Sequence, residues 1–248
     1  MSETASSLFR ALLDLFLERS CPVCGCAMGR HERWLCLPCE ADLPLTGYWR
    51  MPRNAMADRF NARLEDLPDA YVRAAALFFY RSEVGYAAIP KALKYHADFR
   101  LGRHFAAQLG QALKDSPLFR DVDAVIPVPL HPLRQLRRGY NQAEVLAKTV
   151  AEKLGATLRT DLLRRHHYTR SQTRISGGAG KSGNVANAFS LRPKAFQRAR
   201  WRPCRHVLLL DDVFTTGSTL EACYRALLPL FPPGKVRISV ATLAVVKD

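Results

Sequence analysis

The sequence Val207-Leu-Leu-Leu-Asp-Asp-Val-Phe-Thr-Thr-Gly-Ser-Thr219 decides the fold of this chain. Its first four residues, Val207–Leu210, form the unbroken apolar run that is typical of a strand buried on both faces of a parallel sheet. Asp211 and Asp212 follow at once, and two carboxylates are not expected in the middle of a buried strand. We therefore predict that the strand ends at Leu210. Both acids should then lie at the carboxyl edge of the sheet, where open parallel sheets bind ligands.

A loop of small residues follows the acids and leads into a helix. The loop residues are Thr215, Thr216, Gly217, Ser218 and Thr219. Small side chains leave backbone N–H groups accessible, and the amino end of a helix favours an anion such as phosphate. Neighbouring carboxylates can accept hydrogen bonds from vicinal hydroxyls, so the segment suits a ribose 5-phosphate. The glycine spacing differs from both the Walker A loop and the dinucleotide fingerprint. The alternative is an ordinary strand–turn–helix with a capping hydroxyl and two solvated acids.

Length and charge set limits on the class of protein. A chain of 248 residues can hold one large domain or one domain with small appendages. The net charge of +15 indicates attraction to nucleic acid, anionic membranes or phosphorylated small molecules. The longest apolar runs, such as Ala74–Tyr80, are too short to span a membrane, and no signal peptide pattern is found. We therefore expect a cytoplasmic protein.

Two Cys-x-x-Cys pairs near the amino terminus predict a structural zinc site. The four cysteines are Cys21, Cys24, Cys36 and Cys39. Four soft thiolates in closed geometry select Zn²⁺, whereas a redox dithiol needs only one pair. Gly25 allows the backbone to curl so that its amides point at sulfur. Cys26 and His31 lie between the pairs and are alternative ligands, although bystander roles fit them better. Such a module could also bind nucleic acid.

Apolar patterning outlines an α/β parallel sheet. Residues 1–19 are predicted to form an amphipathic helix, residues 20–45 the zinc module and residues 70–248 the main domain, with residues 40–70 a linker or irregular segment. The predicted strands are 71–80, 123–129, 207–210 and 236–243, and the predicted helices are 84–96, 100–114 and 143–154, with a further helix after Thr219.

Three basic stretches are candidate phosphate contacts. Arg138 and Gly139 lie in a loop after the strand at 123–129, where a pyrophosphate could bind arginine's planar fork; a solvated basic turn is the alternative. Residues 164–189 are predicted to form a long loop that serves as a lid. Residues 192–206 mix cations with one aromatic ring and suit single-stranded nucleic acid, or else form an exposed insertion. The nucleic-acid candidates are Arg198, Arg200, Trp201 and Arg202.

The segment 207–219 resembles the phosphoribosyl-pyrophosphate motif of type I phosphoribosyltransferases, and the chain as a whole looks like the ComF family. That family pairs a four-cysteine zinc module with a phosphoribosyltransferase-like domain. The further markers are Leu93-Lys94-Tyr95, Val128-Pro129-Leu130, Arg138-Gly139-Tyr140-Asn141-Gln142, Gln172, Asn184 and Ala188-Phe189. Two features depart from the family pattern: Lys181 stands where an arginine is usual, and the segment 192–206 is longer than usual.

The resemblance implies a type I phosphoribosyltransferase-like sheet with flanking helices that binds phosphoribosyl pyrophosphate with Mg²⁺. Asp211 and Asp212 would contact the ribose hydroxyls, and residues 215–219 would hold the 5-phosphate. Lys94, Arg138 and Gly139 are candidates for the pyrophosphate side, and Lys181 would lie on the closing lid. The resemblance also implies a role in natural competence, in which the chain handles single-stranded DNA together with partners in DNA uptake. It leaves open whether the chain is a phosphoribosyltransferase or a non-catalytic sensing or DNA-binding module.

Overall fold

The computed structural model describes residues 19–67, 71–80, 85–95, 97–166, 188–199, 204–231 and 234–247. The predicted helix in residues 1–19 lies outside these ranges except for Arg19. Several predicted site residues also lie outside them: Gln172, Lys181, Asn184, Arg200, Trp201 and Arg202. Within the described ranges, no helix has the length and apolar character needed to cross a lipid bilayer.

Five strands form a parallel sheet in the order β1-β7-β6-β2-β3, which confirms the predicted architecture. The strands are β1 (Ala74–Tyr80), β2 (Ala124–Pro127), β3 (Thr157–Leu158), β6 (His206–Phe214) and β7 (Arg237–Val246). Two further strands, β4 (Leu163–Arg165) and β5 (Phe189–Leu191), pair as a separate antiparallel hairpin.

Helices cover both faces of the sheet. The helices are α1 (Leu37–Ala41), α2 (Ala55–Asn61), α3 (Ala88–Tyr95), α4 (Phe99–Lys114), α5 (Pro132–Arg138), α6 (Gln142–Leu154), α7 (Ala195–Ala199) and α8 (Ser218–Leu227). Leu208 and Leu210 of β6 face the core under α4 and α6, whereas Val207 and Leu209 face the core under α2 and α8. Burial on both faces explains why β6 has no polar alternation.

Strand β6 continues through the two acids, so the prediction that it ends at Leu210 is wrong. Pairing with β7 runs on from Asp211 opposite Thr242 to Phe214 opposite Val245. Pairing with β2 stops at Leu210, because β2 ends at Pro127. The carboxylates are tolerated because β6 projects beyond β2 and keeps only its β7 neighbour there. The prediction that the acids lie at the carboxyl edge is therefore correct for the β2 side.

Other differences concern short elements. Residues 40–70 are not irregular throughout, because Asn54 caps α2 by accepting a hydrogen bond from the Ala57 N–H at 2.9 Å. The basic loop after β2 contains helix α5, which ends at Gly139 in the left-handed region. The predicted lid 164–189 begins and ends in the β4–β5 hairpin, whose strands are too short to show periodicity. The helix predicted at 84–96 begins as a 3-10 turn before α3.

Candidate functional site

The two acids of β6 meet a lysine from the last turn of α3. The Lys94 Nζ atom lies 2.6 Å from Asp212 Oδ2, and the Asp212 side chain is 10% exposed. Burial lowers the pKa of the Lys94 ammonium, but the carboxylates of Asp212 and Asp211 outweigh burial and raise that pKa. The structure thus brings together three of the residues predicted for one site, in a fixed ion pair at the carboxyl edge of the sheet.

Asp211 differs electrostatically from its neighbour. Burial and the adjacent Asp212 charge raise the pKa of the Asp211 carboxyl to about 8. The Asp212 backbone N–H donates a hydrogen bond of 2.8 Å to Asp211 Oδ1, which lowers this pKa but does not offset the other two effects. The site therefore holds a carboxyl that keeps a proton near neutral pH beside a lysine-paired carboxylate.

The loop after β6 leaves the amino end of α8 open. Gly217 has φ +80° and precedes the helix as an N-cap residue without a side chain. Among the described residues, only the Ser218 N–H of the first turn has a side-chain acceptor, Thr216 Oγ1 at 3.5 Å. A Cβ atom on Gly217 would lie 2.9 Å from Phe214 Cζ, so the position needs glycine for its backbone angle and for space. Thr215 and Thr216 are exposed. Uncapped N–H groups at the amino end of a ten-residue helix are suited to an anion.

The Arg138-Gly139 loop packs against the end of helix α3 that carries Lys94. The Arg138 guanidinium lies over the Tyr95 ring at 5.6 Å, and the Tyr140 hydroxyl donates a hydrogen bond to the Leu93 carbonyl. These contacts bring the Arg138-Gly139 loop to the helix turn that carries Lys94, although the sequence separates them by more than 40 residues.

Sequence reasoning missed one arginine close to the loop after β6. Arg59 of α2 donates a hydrogen bond of 2.6 Å from Nη2 to the Thr215 carbonyl and so supports that loop. Arg59 lies in no motif, and only the packing of α2 against the sheet reveals it. Arg165 of β4, one of the cations of the predicted lid 164–189, is close enough to Asp211 for their charges to interact.

The opposite edge of the sheet holds a buried Ser–His–Asp chain that sequence reasoning also missed. His206 hydrogen-bonds through Nδ1 to Asp121 Oδ1 and through Nε2 to Ser239 Oγ, both at 2.9 Å. His206 and Ser239 are each 0% exposed, so no substrate can reach the serine hydroxyl. The arrangement satisfies buried polar groups and is not a nucleophilic site.

The four predicted cysteines form one cluster, as the spacing predicts. The Sγ atoms of Cys21, Cys24, Cys36 and Cys39 all lie within 4.8 Å of one another, close enough to bind one metal ion. Thiolates about 2.3 Å from a tetrahedral zinc ion are separated by roughly 3.8 Å. Cys24 and Cys36 approach this value, with their sulfur atoms 3.5 Å apart. Cys26 and His31 are exposed and outside the cluster, in agreement with bystander roles.

Backbone amides favour the thiolates of Cys21 and Cys24. At Cys36 the Cys39 N–H also lowers the pKa, but burial and the neighbouring sulfur atoms outweigh it, and they raise the pKa of the Cys39 thiol as well. The Cys26 N–H is the main cause that lowers the pKa of the Cys24 thiol, to about 6. Burial opposes ionisation of Cys21, but N–H groups of Cys36, Cys24 and Val23 outweigh it and lower that pKa. Gly25, at φ +76°, makes the turn that aims these amides. The donor set therefore fits a soft divalent metal.

The structure does not show how the four nucleic-acid candidates are arranged. Arg198 belongs to helix α7, while Arg200, Trp201 and Arg202 lie outside the described residues. Lys181, predicted on the lid, also lies outside them. These roles stay predictions.

Sequence comparison finds competence and DNA-utilization proteins. The chain is 36% identical to Competence protein F of Haemophilus influenzae over 55% of its length and 59% of the relative. It is 33% identical to DNA utilization protein YhgH of Salmonella typhi over 43% of each protein. It is 24% identical to Competence protein ComFC of Streptococcus pneumoniae over 75% of its length and 78% of the relative. The chain has homologues in the ComF family.

The alignments to the first two relatives span about half of their length. A scan against protein-family models finds no match for this chain. Among solved structures, adenine phosphoribosyltransferase of Saccharomyces cerevisiae superimposes with a TM-score of 0.34 and 13% identity, over 78% of this chain and 89% of that one. We base the functional proposal on the residues of this chain.

Proposed function

We propose that the chain binds phosphoribosyl pyrophosphate at the carboxyl edge of β6. The observation that supports this most directly is the junction of the Asp211-Asp212 pair with the uncapped amino end of α8. In this proposal both carboxyl groups hydrogen-bond vicinal ribose hydroxyls, and the N–H groups of residues 215–219 bind the 5-phosphate. In the empty site Lys94 neutralises Asp212. A bound pyrophosphate gives Lys94 a second partner next to Arg138 and Gly139, with Lys181 added from the lid.

A magnesium ion would accompany this ligand. Mg²⁺ prefers carboxylate oxygens, which Asp212 supplies and which Asp211 would supply on releasing the proton that it holds near neutral pH, and Mg²⁺ at such sites is held largely by substrate phosphates. When bound, the ion supplies positive charge that favours departure of pyrophosphate. The residues of the chain hold the ribose, align the phosphates and exclude water by closing the lid.

We further propose that the chain catalyses phosphoribosyl transfer. The bond from ribose C1 to the pyrophosphate oxygen would break while a bond from C1 to an incoming nucleophile forms. Pyrophosphate would take the electron pair of the broken bond. The alternative is a non-catalytic protein that senses the ligand through the same pocket. Ligand binding without pyrophosphate release in the presence of a panel of nucleobases would support that alternative.

Asp212→Asn tests the binding site. Removing a charged acceptor from a ribose hydroxyl costs about 1.5–3 kcal/mol, so affinity for phosphoribosyl pyrophosphate should fall about tenfold or more. Calorimetry with Mg²⁺ measures this. Asp115→Asn, on the exposed end of α4, is the matched control and should bind as the wild type does. Equal affinities for wild type and Asp212→Asn, in a variant that unfolds as wild type does, would refute the site.

We also propose that the chain handles single-stranded DNA in natural competence, together with DNA-uptake partners. Support comes from the names of its homologues and from the net charge of +15. The binding candidates are Arg198, Arg200, Trp201 and Arg202. Arginines can pair with strand phosphates and a tryptophan can stack on a base.

The DNA proposal predicts weak sequence preference and a salt slope of about −0.7 per phosphate neutralised. The test replaces Arg198, Arg200 and Arg202 with Ser and measures affinity for an oligothymidylate at several salt concentrations. A control of equal charge replaces the exposed Arg103, Lys114 and Arg120 with Ser. Loss of affinity and of slope only in the first variant supports this surface. Equal effects in both variants, or none in either, would exclude it.

A further inference from the structure

A cavity of about 620 Å³ opens beside the carboxyl end of β2 and takes no part in the proposed ribose site. It lies between the residues that follow β2, the start of α6 and the β4–β5 hairpin. Its lining residues are Pro127, Pro129, Leu130, His131, Pro132, Gln135, Asn141, Glu144, Thr160, Arg164, Arg165, His166 and Arg192. Neither acid of β6 nor any residue of the loop 215–219 lines it.

The β4–β5 hairpin presents cations on one side of the cavity. Arg164 pairs with Ser190 in the antiparallel register, and the Arg164 Nε–H donates a 3.1 Å hydrogen bond to Ser190 Oγ. Arg192 donates from Nε to the Leu163 carbonyl at 3.0 Å. Both bonds use Nε. The terminal nitrogens of these two guanidinium groups therefore have no partner among the residues that the structure describes.

The charge of the lining is strongly unbalanced. Three arginines line the cavity, while Glu144 is the one carboxylate among its described lining residues. Exposed arginine nitrogens without carboxylate partners are suited to a phosphate, because the planar fork matches two phosphate oxygens. The other lining residues mix apolar groups, three prolines and Leu130, with the polar side chains of His131, Gln135 and Asn141. A cationic side together with mixed polar and apolar groups suits a ligand with a phosphate at one end and an organic group at the other.

The size and shape of the cavity distinguish two kinds of phosphate ligand. A volume of about 620 Å³ is within the range for small-molecule pockets, roughly 300–1,000 Å³. The described lining contains no Phe, Tyr or Trp on which the bases of a strand could stack. A single phosphorylated small molecule therefore fits better than a nucleic-acid strand.

The cavity is close to the ribose site without overlapping it. Arg165 lines the cavity and also interacts electrostatically with Asp211. We propose that this cavity is a second phosphate site, which binds a nucleotide-sized phosphate monoester through Arg164 and Arg192. Its ligand is distinct from phosphoribosyl pyrophosphate, and its occupancy does not depend on the proposed transfer reaction.

The test uses AMP as the probe and adenosine as the control lacking phosphate. Calorimetric titrations are run on the full chain, on Arg164→Gln/Arg192→Gln, and on Arg103→Gln/Arg120→Gln. The last variant removes the same charge from exposed positions outside the cavity. We expect the wild type and the control variant to bind AMP, and the cavity variant to bind it at least tenfold more weakly. Adenosine should bind at least tenfold more weakly than AMP in the wild type and in the control variant.

Titration of the same proteins with phosphoribosyl pyrophosphate separates the two proposals. AMP binding that phosphoribosyl pyrophosphate does not displace supports two sites. If phosphoribosyl pyrophosphate fails to bind at all while AMP binds as described, only the proposed function fails. Equal AMP affinity in all three proteins, displacement of AMP by phosphoribosyl pyrophosphate, or binding of an oligothymidylate but not AMP through the two arginines would each overturn this inference.

Discussion

Asp211→Asn should make the folded protein more stable, although Asp211 lies at the centre of the candidate site. Burial and the neighbouring Asp212 charge raise the Asp211 pKa from 3.8 to about 8. The folded chain thus holds a proton at neutral pH that the unfolded chain has released. A raised pKa of this kind gives stability that is fully present below about pH 4 and is lost progressively as the pH rises to 8.

The size of the effect follows from the pKa difference. At pH 7 the carboxyl is about three pH units above its unfolded pKa of 3.8, and each unit corresponds to about 1.36 kcal/mol, so the cost approaches ~4 kcal/mol. Access of water and relaxation around the site reduce this free-energy cost in the wild type. The Asp211→Asn substitution removes only part of the cost that remains. We expect the free energy of unfolding to rise by about 1–3 kcal/mol at pH 7.

Urea unfolding at pH 5, 6, 7 and 8, with zinc present throughout, measures this change. The gain should grow with pH for Asp211→Asn, whereas Asp115→Asn should stay within about 0.5 kcal/mol of wild type at each pH. A variant that is less stable than wild type at pH 7, or a gain that does not increase between pH 5 and pH 8, would refute the electrostatic account of the site.

Two other substitutions have matched controls. Cys36→Ser should bind less zinc than the wild type, which should hold about one ion per chain by elemental analysis. Its unfolding temperature should also fall, because metal binding stabilises the fold. Cys26→Ser should change neither property, and full zinc content in Cys36→Ser would exclude the site. Gly217→Ala should lower the free energy of unfolding by about 2–4 kcal/mol, through left-handed backbone strain and a Cβ contact of 2.9 Å with Phe214. Gly47→Ala has the same strain with no atom within 4 Å and should lose only about 1–2 kcal/mol, so equal losses would disprove the contact.

The sequence predicted those features of the molecule that depend on residues close together in the chain. Cysteine spacing predicted the thiol cluster, because ligand pairs three residues apart close a tight loop around one metal. Continuous apolar runs predicted the central strands, since both faces of the sheet are covered. The parallel arrangement followed from the alternation of strands and helices.

Features that depend on distant partners were not predictable from the sequence. The extension of β6 through Asp211 arises because β7 is longer than β2, and no residue of β6 encodes the length of its neighbours. Helix α5 buries none of its residues, so it has no apolar stripe to reveal it. Strands β4 and β5 are each three residues long and depend on packing against α8. The contact of Lys94 with Asp212 likewise joins residues that only the folded sheet brings together.

The thiol cluster is not built as a separate unit beside the sheet. Cys21, Leu35 and Cys36 belong to the same buried core as Phe105 and Leu208. The Tyr86 hydroxyl donates a hydrogen bond of 2.9 Å to the Cys39 carbonyl, and the ring of Trp34 stacks on His104 of α4 at 5.0 Å. Removing the metal should therefore weaken the packing against one face of the sheet. Heating the intact chain should give a single cooperative transition in calorimetry, and chelation should shift that whole transition without splitting off an early one.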